Sequence, residues 1–167
     1  QKTRGLILEA FKSFITEENS EKYRILVISA EPNNTKLFHT AQRVTDEAKK
    51  IGHEVYVVKV EGAYIEYDSG YKIYNADDDK GFEINDENTV AIVRGSVRLK
   101  QSWLDLLSQL EKIGICMVNS RQTVAISSDK YRTYLKLQDF GLTQPKTVLI
   151  PDVNGIDKAV EILDKKF

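Results

Sequence analysis

The chain has 167 residues, of which 41% are hydrophobic and 29% are charged, and its formal net charge is −1. This size suits one domain, or one domain and a piece of another, and the hydrophobic share excludes a disordered chain. Because basic and acidic residues are interspersed, we expect no nucleic-acid partner and no membrane partner. No apolar run reaches the roughly 20 residues that a membrane span needs.

The single cysteine, Cys116, lies in the apolar run 115–118. One cysteine excludes a disulfide framework, and the apolar neighbours predict a buried residue of a core strand. The N-terminal segment is amphipathic, unlike the uniformly apolar core of a signal peptide. These features favour a cytoplasmic protein.

Residues 1–22 predict an amphipathic helix and a polar linker. The apolar residues that recur there at helical spacing are Leu6, Ile7, Ala10, Phe11 and Phe14. This stripe must cover either the domain itself or a partner chain, and we favour the domain.

Residues 23–126 alternate strand and helix patterns. The nearly continuous apolar run from Tyr23 to Ser29 is typical of a buried parallel strand. The segment from Leu37 to Ile51 has a helical apolar face that ends at Gly52, and a second strand is predicted over 53–60. This β-α-β order predicts a parallel pair of strands with a right-handed crossover.

The pattern changes between residues 63 and 84, where tyrosines flank the turn sequence Asp68-Ser69-Gly70. We expect a hairpin there, at the edge of the sheet. A third core strand (89–93), a helix with an apolar face from Trp103 to Ile113 and a fourth core strand (115–118) follow. The alternation predicts an α/β fold with a mostly parallel sheet and an edge hairpin.

Residues 127–167 are predicted to begin a further unit. A helix is expected from Asp129 to about Phe140, with Gly141 at its C-terminal cap. A strand over 146–150 and a final helix over 156–163 are expected to follow.

Three loops follow predicted strands, at 29–34, 94–97 and 119–123, and open α/β sheets bind ligands beyond the carboxyl ends of their strands. In Arg94-Gly95-Ser96 the guanidinium offers a planar set of donors that matches a carboxylate or phosphate, and the glycine permits close backbone approach. We therefore expect Arg94, Ser96 and Asn119 to bind substrate. An Arg94 that simply pairs with a neighbouring acid is an equally good interpretation of so short a motif.

Lys130 follows Asp129 at the predicted start of a helix. An ammonium beside a helix N-terminus forms a small anion site, which combines a point charge with free backbone N–H groups. Without further support, a solvated surface lysine is the more common explanation.

Other chemistry is not indicated. Asp77-Asp78-Asp79 lacks the later ligands of a calcium loop and is more typical of a solvated hairpin loop. His39 and His53 have no second ligand at a metal-binding spacing. Because the sequence contains neither a glycine-rich phosphate loop nor a nucleophile motif, we expect no metal site and no catalytic residue in this chain.

The stretch from Asn119 to Pro145, with Asp129-Lys130 in its middle and Gly-Leu-x-x-Pro at its end, resembles the beginning of the ATP-binding half of ATP-grasp ligases. The likeness is closest to the RimK-like group of carboxylate–amine ligases, which includes the ribosomal-protein glutamate ligase, LysX and glutathione synthetase. It extends over residues 23–167. Arg94-Gly95-Ser96 is similar to an Arg-x-Gly turn of that group, with one residue fewer between arginine and glycine.

The resemblance implies a Rossmann-like pre-ATP-grasp domain over residues 23–126 and the truncated start of an ATP-grasp domain over 127–167. It implies that Lys130 contacts ATP and that Arg94, Ser96 and Asn119 face the acid substrate. In this family ATP activates a carboxylate as an acyl phosphate, which an amine attacks, and Mg²⁺ is the second cofactor. The implied acid is a small molecule or a protein C-terminal carboxylate, to which a glutamate-like amino acid is joined.

The same resemblance implies that the metal ligands, the glycine-rich lid and the second lysine of the family lie beyond Phe167. We therefore expect the 167-residue chain to fold and to be catalytically inactive by itself. Its last segment is expected to leave Leu149, Leu163 and Phe167 poorly covered. This predicts either docking of that segment on the first domain or a homo-oligomer.

Two other interpretations stay open. One is a non-catalytic binding or regulatory module with a flavodoxin-like sheet, although Arg94 stands where a receiver domain needs an aspartate. The other is an interaction module that docks a partner through the N-terminal helix.

Overall fold

A four-stranded parallel sheet forms the centre of the structure, a computed structural model that describes residues 22–29, 37, 39–94 and 101–164. The strands in chain order are β1 (Arg24–Ser29), β2 (Glu54–Lys59), β3 (Tyr64–Tyr67), β4 (Tyr71–Tyr74), β5 (Phe82–Ile84), β6 (Thr89–Val93) and β7 (Cys116–Val118). The parallel sheet has the spatial order β2-β1-β6-β7. The remaining three strands form a separate antiparallel sheet in the order β3-β4-β5.

Five helices accompany the strands in the described part of the chain. They are α1 (His39–Lys50), α2 (Gln101–Ile113), α3 (Arg121–Ser127), α4 (Lys130–Asp139) and α5 (Ile156–Asp164). A 3-10 turn, Val153–Gly155, precedes α5. None of the helices among these residues has the length and apolar character to cross a membrane.

Helices α1 and α2 cover opposite faces of the parallel sheet. On one face, Ile25 and Val27 of β1 pack with Ala41 of α1. On the other face, Leu26 and Ile28 pack with the apolar side of α2. This alternation follows from the strand period of two, and burial on both faces explains the unbroken apolar sequence of β1. The α2 residues in the second cluster are Trp103, Leu106, Leu107 and Leu110.

The predicted α/β fold with a parallel sheet is confirmed, and the four core strands lie where they were expected. The hairpin around Asp68-Ser69-Gly70 is also confirmed, with β3 and β4 antiparallel on either side of it. Its expected position at the edge of the parallel sheet is wrong. Strand β4 pairs instead with β5, which was not predicted, in a sheet of their own.

Two expectations for the C-terminal segment need correction. Residues 146–150 form no strand, because no described strand pairs with them and prolines flank the segment on both sides. Residues 121–127, expected as a connection, form α3. The helix predicted from Asp129 to about Phe140 is confirmed as α4, and Gly141 follows it in the left-handed conformation.

Cys116 is exposed, so the prediction of a buried strand cysteine is wrong. The reason is that β7 is a three-residue strand at the edge of the sheet, where it pairs only with β6. An apolar run in an edge strand has the sequence of an interior strand, but neighbouring elements do not cover it on all sides. The predicted N-terminal helix, Ser96 and Phe167 lie outside the described residues.

The side chain of Asn75 lies at the outer edge of β2 and makes hydrogen bonds that a further strand would otherwise make. Its Oδ1 accepts the N–H of Lys59 at 2.8 Å, and its Nδ2 donates to the carbonyl of Val57 at 2.9 Å. These backbone groups face away from β1, since the alternate groups of β2 pair with β1. The side chain therefore satisfies an edge that would otherwise be open to another chain.

The Tyr56 hydroxyl joins β2 to the loop after β4. It donates to Asp78 Oδ2 and accepts the N–H of Asn75 at 3.1 Å. Burial, and then the hydrogen bond to Asp78, raise the pKa of Tyr56 far above its ordinary value of 10.0. The hydrogen bond from Tyr56 lowers the pKa of Asp78 below its ordinary value of 3.8. Because Asp78 also accepts the N–H groups of Lys80 and Gly81, the acidic loop is organised by hydrogen bonds.

Asn75→Ala should lower the free energy of unfolding by about 2 kcal/mol, because two hydrogen bonds to β2 are lost and each contributes about 1 kcal/mol net. Urea denaturation followed by circular dichroism measures this change. Asn154→Ala is the matched control, since Asn154 is exposed on the 3-10 turn. Equal losses in the two variants would contradict the role of Asn75 at the β2 edge.

Tyr56→Phe should destabilise the protein most at pH values between 3.8 and 10.0, the ordinary pKa values of the two groups. A carboxyl group whose pKa is lowered by folding stabilises the native state above its ordinary pKa and loses this contribution as the pH falls. A phenol whose pKa is raised by folding stabilises the native state below its ordinary pKa and loses this contribution as the pH rises.

Urea denaturation of the wild type and the Tyr56→Phe variant, from below pH 3.8 to above pH 10.0, measures the effect. The difference between them should shrink towards both extremes of pH. Tyr67→Phe removes an exposed hydroxyl and is the control, for which we expect a small difference that does not vary with pH. A constant difference for Tyr56→Phe would show that the hydrogen bond to Asp78 is not linked to ionisation.

Candidate functional site

The chain places β2 on one side of β1 and β6 on the other, so a topological switch point lies between β1 and β6. From β1 the chain passes through α1 to β2 on one side, while β6 lies on the other side of β1. The helices that follow β1 and β6 cover opposite faces of the sheet. Such a switch point, at the carboxyl ends of the strands, is where open α/β sheets hold ligands.

Arg94 follows β6 directly at the switch point. Its backbone N–H donates to the carbonyl of Ile28 at 2.8 Å, which extends the ladder between β1 and β6 by one residue. Its side chain is exposed, and within the described ranges it has no ion-pair or hydrogen-bond partner. The interpretation of Arg94 as the partner of a neighbouring acid therefore finds no support among these residues.

Asn119 lies beside Arg94, as the candidate site requires. The residue adopts a left-handed φ of 70°, a conformation that asparagine tolerates better than most residues. Its Nδ2 donates to the carbonyl of Val93 at 3.1 Å. The structure thus brings the loops after β6 and β7 together, but it uses the Asn119 amide nitrogen to hold them rather than leaving it for a ligand.

Helix α3 is fixed to its neighbours by side-chain hydrogen bonds. Ser120 caps its N-terminus by accepting the N–H of Thr123 at 3.2 Å. The N–H of Arg121 donates to Glu111 of α2 at 2.8 Å. At the other end, Thr133 of α4 donates to the carbonyl of Ile126 at 2.8 Å. The edge of the sheet and α4 are therefore connected through α3.

Lys130 is the first residue of α4, as predicted, but the anion site expected there is incomplete. Asp129 caps the helix, and its Oδ1 accepts the N–H groups of Tyr131 at 2.9 Å and Arg132 at 3.0 Å. The backbone donors that a phosphate would use are therefore occupied by the protein's own carboxylate. The ammonium of Lys130 is exposed and has no hydrogen-bond or ion-pair partner in the described part of the chain.

A groove of about 440 Å³ lies between α4 and the extended segment 144–149. Lys130 lines it together with the rings of Tyr131 and Tyr134, which stack at 5.9 Å between centroids. Other residues that line the groove are Leu137, Pro145, Val148 and Leu149. The groove therefore combines aromatic and apolar surface with one positive charge.

Three buried polar atoms near the carboxyl ends of the strands have no hydrogen-bond partner in the described part of the chain. They are Ser29 Oγ, Trp103 Nε1 and Arg121 Nε, and the described residues contain one other such atom, Asn88 Oδ1. Ser29 ends β1, Trp103 lies in the first turn of α2 and Arg121 begins α3. The sequence analysis placed Ser29 at the start of a candidate loop but assigned no binding role to any of these three side chains. The one available signal was a serine that closes an otherwise apolar strand.

The described residues offer no cluster of side chains that would by itself hold a metal ion. The described ranges contain no group of three or more His, Cys, Asp or Glu residues that could hold a metal ion. In the acidic loop after β4, the carboxylate of Asp78 is engaged by Tyr56 and by two backbone N–H groups.

The chain matches no model of a known protein family and no curated protein. The ligase resemblance therefore stays a prediction. The residues at the sheet edge and in the groove carry the functional proposal.

Two substitutions separate the contributions of Asn119. Asn119→Gly keeps the left-handed backbone accessible but removes the bond to Val93, and should lower the free energy of unfolding by about 1 kcal/mol. Asn119→Ala also places a Cβ in the left-handed region, and should cost about 1–2 kcal/mol more. Urea denaturation measures both values. Equal losses in the two variants would show that the backbone conformation of this residue is not strained.

Proposed function

We propose that the chain is part of an ATP-dependent ligase of the ATP-grasp type, which joins a glutamate-like amino acid to a carboxylate through an acyl phosphate. The observation that supports this most is a succession of two features along the chain. A parallel sheet with Arg94 at its switch point is followed by a helix that begins with the unpaired ammonium of Lys130. The first feature suits an anionic substrate and the second suits nucleotide phosphates.

Under this proposal ATP lies in the groove beside α4. The rings of Tyr131 and Tyr134 and the side chain of Leu149 offer apolar surface for the base, and Lys130 offers a positive charge for the phosphates. The volume of about 440 Å³ falls within the range of roughly 300–1,000 Å³ that is usual for small-molecule sites.

The affinity of this groove for ATP should be low in the chain alone. Asp129 occupies the first N–H groups of α4, so Lys130 acts as a point charge without help from the helix N-terminus. The Asp129 carboxylate also adds negative charge close to the proposed phosphate position, which opposes the binding of an anion.

The acid substrate is assigned to the loops that follow β6 and β7. Arg94 is the residue that would pair with the carboxylate, since its guanidinium is exposed and forms no ion pair within the described ranges. Asn119 positions this loop through its hydrogen bond to Val93. Ser96, two residues after Arg94, is proposed as a further contact. A small molecule and a protein C-terminal carboxylate both suit such a site.

Turnover needs more than these residues supply. Phosphoryl transfer depends on metal ions and cations that neutralise the phosphates, and the described residues contain no group of three or more metal-ligating side chains. We therefore propose that the chain by itself is inactive, with Mg²⁺ and the remaining cations held by other parts of the enzyme.

The C-terminal segment exposes an apolar surface, which under this proposal another part of the enzyme would cover. Leu149 is 54% exposed, as expected from the sequence, and Phe140 is 70% exposed. Other exposed apolar residues of the segment are Leu142, Val153, Ile156, Val160 and Ile162. A surface of this kind is typical of a region that contacts another domain or a second copy of the chain.

A non-catalytic binding module is the second candidate. The specific observation in its favour is that the described residues hold charged side chains suited to an anion but no group suited to a metal ion. Such a module would bind an anionic ligand at the sheet edge without transferring a phosphoryl group.

Titration of ATP into the ¹⁵N-labelled chain tests the groove. We expect affinity in roughly the millimolar range, with amide shifts confined to α4 and the segment 144–149, since a single cation contacts the phosphates. Lys130→Ala should abolish these shifts. Lys136→Ala is the matched control, because Lys136 lies on the same helix and pairs with Asp139 at 3.6 Å. Shifts that survive in Lys130→Ala would contradict the assignment of Lys130 to ATP.

An ADP-release assay on the same samples, with glutamate and Mg²⁺ present, tests the expected inactivity. We expect no steady rate above that of the Lys130→Ala variant. A Lys130-dependent rate would contradict the proposal that the rest of the enzyme is needed. If the reading frame continues past Phe167 with a lysine, a glycine-rich loop and later acidic ligands, the ligase proposal is supported. A stop codon there would favour the binding module.

A further inference from the structure

Ser29 and Arg94 are neighbours on one face of the parallel sheet. Ile28 is paired with Val93, and the N–H of Arg94 bonds to the Ile28 carbonyl, so Ser29 and Arg94 occupy the next pair of positions along β1 and β6. Side chains at paired positions of neighbouring strands lie on the same face, and the strands are about 4.8 Å apart. The Ser29 hydroxyl therefore lies next to the base of the Arg94 side chain.

The Ser29 hydroxyl has no role in the core that surrounds it. The residue is 0% exposed, and its Oγ has no hydrogen-bond partner among the described residues. A buried hydroxyl in this state has lost its hydrogen bonds to water without replacement, which destabilises the fold. The preceding residues on the same face of β1, Ile25 and Val27, are apolar and pack with α1. An alanine at position 29 would serve that core without this penalty.

The other unpartnered buried atoms differ in their chemistry between the two ends of the parallel strands. At the carboxyl edge, Trp103 Nε1 and Arg121 Nε are donors, and the Ser29 hydroxyl can also donate. At the amino ends of the strands, the remaining atom of this kind in the described ranges is Asn88 Oδ1, an acceptor just before β6. The carboxyl ends of the strands therefore carry donors that lack acceptors.

Positive charge flanks Ser29 on both sides. Lys59 of β2 is paired with Ser29, so Lys59, Ser29 and Arg94 form a row across three strands on the same face. Lys59 has another interaction of its own, and it contributes charge here rather than an assigned contact. A hydroxyl between two cationic residues suits a negatively charged oxygen and disfavours a cation.

We propose that this edge, centred on Ser29 and Arg94, is a binding site for the oxyanion of a small ligand, either a carboxylate or a phosphate group. Arg94 donates to the anion from its guanidinium, and the Ser29 hydroxyl donates a further hydrogen bond that satisfies its buried oxygen. This proposal deepens the assignment of the acid substrate to Arg94, on which it rests, and it does not depend on ATP binding in the groove at Lys130. It adds Ser29 to the residues that the sequence predicted.

Separate titrations of inorganic phosphate and of succinate into the ¹⁵N-labelled chain test the site. We expect saturable shifts of the amide signals of Ser29, Val60 and Arg94, with the α4 signals unchanged. Arg94→Gln should weaken binding about tenfold or more, and Ser29→Ala about fivefold, which are typical effects of losing a charged and a neutral hydrogen bond. The matched charge control is Lys112→Gln, which removes one positive charge from the last turn of α2 and should weaken binding less than about twofold.

Arg94→Lys separates a directed contact from general attraction, because it keeps the charge but loses the planar set of donors. We expect it to bind more weakly than the wild type. Saturation with phosphate alone or with succinate alone supports the site and identifies the group. The absence of saturable shifts with both anions, or equal weakening by Arg94→Gln and Lys112→Gln, would overturn the proposal. Loss of the ATP shifts in α4 would bear on the ligase proposal only.

Discussion

The burial of β1 on both faces and along both edges is the constraint on which the rest of the structure depends. All of its residues from Ile25 to Ser29 are buried, and β2 and β6 pair with it on either side. A strand in this position must be apolar on both faces and must find a hydrogen-bond partner for each backbone group. Helices on both faces and strands on both sides follow from that requirement. The polar side chains of β1 are therefore restricted to its two ends, Arg24 and Ser29.

The two edges of the parallel sheet are protected in different ways. At β2, the amide of Asn75 bonds to the two backbone groups that face outwards, and the hydrogen bond between Tyr56 and Asp78 fixes the loop that carries it. At β7, the strand is only three residues long, and Cys116 and Val118 are exposed. A side chain that replaces a strand and a strand too short to recruit another are both known means of limiting association between edges.

The main elements could be predicted because their signals are local. The unbroken apolar run of β1 and the helical spacing of apolar residues in α2 each specify one element without reference to the rest of the chain. The errors arose where a tertiary neighbour decides the outcome. Residues 146–150 have strand-forming side chains but no partner, and Cys116 has an interior sequence at an edge position. The separate antiparallel sheet depends on the pairing of β4 with β5, which no local pattern reveals.

The candidate site likewise divides into features that the sequence could predict and features that depend on the three-dimensional structure. The position of Lys130 at the start of a helix and the adjacency of Arg94 and Asn119 were accessible, since strand ends and helix starts can be located from the sequence. The occupation of the helix N-terminus by Asp129 was not, because a capping side chain and a free anion site have the same sequence. The unpartnered hydroxyl of Ser29 depends on three-dimensional burial, which the apolar run alone does not give.

Helix α3 determines how far apart the two candidate regions lie. It begins two residues after Asn119, which is bonded to the end of β6, and its carbonyl at Ile126 is bonded to Thr133 of α4. Seven residues at 1.5 Å each contribute roughly 10 Å between these attachment points. The length of α3 therefore contributes directly to the distance between the two candidate regions. An insertion of one turn would lengthen α3 by about 5 Å and would change the separation of Arg94 and Lys130.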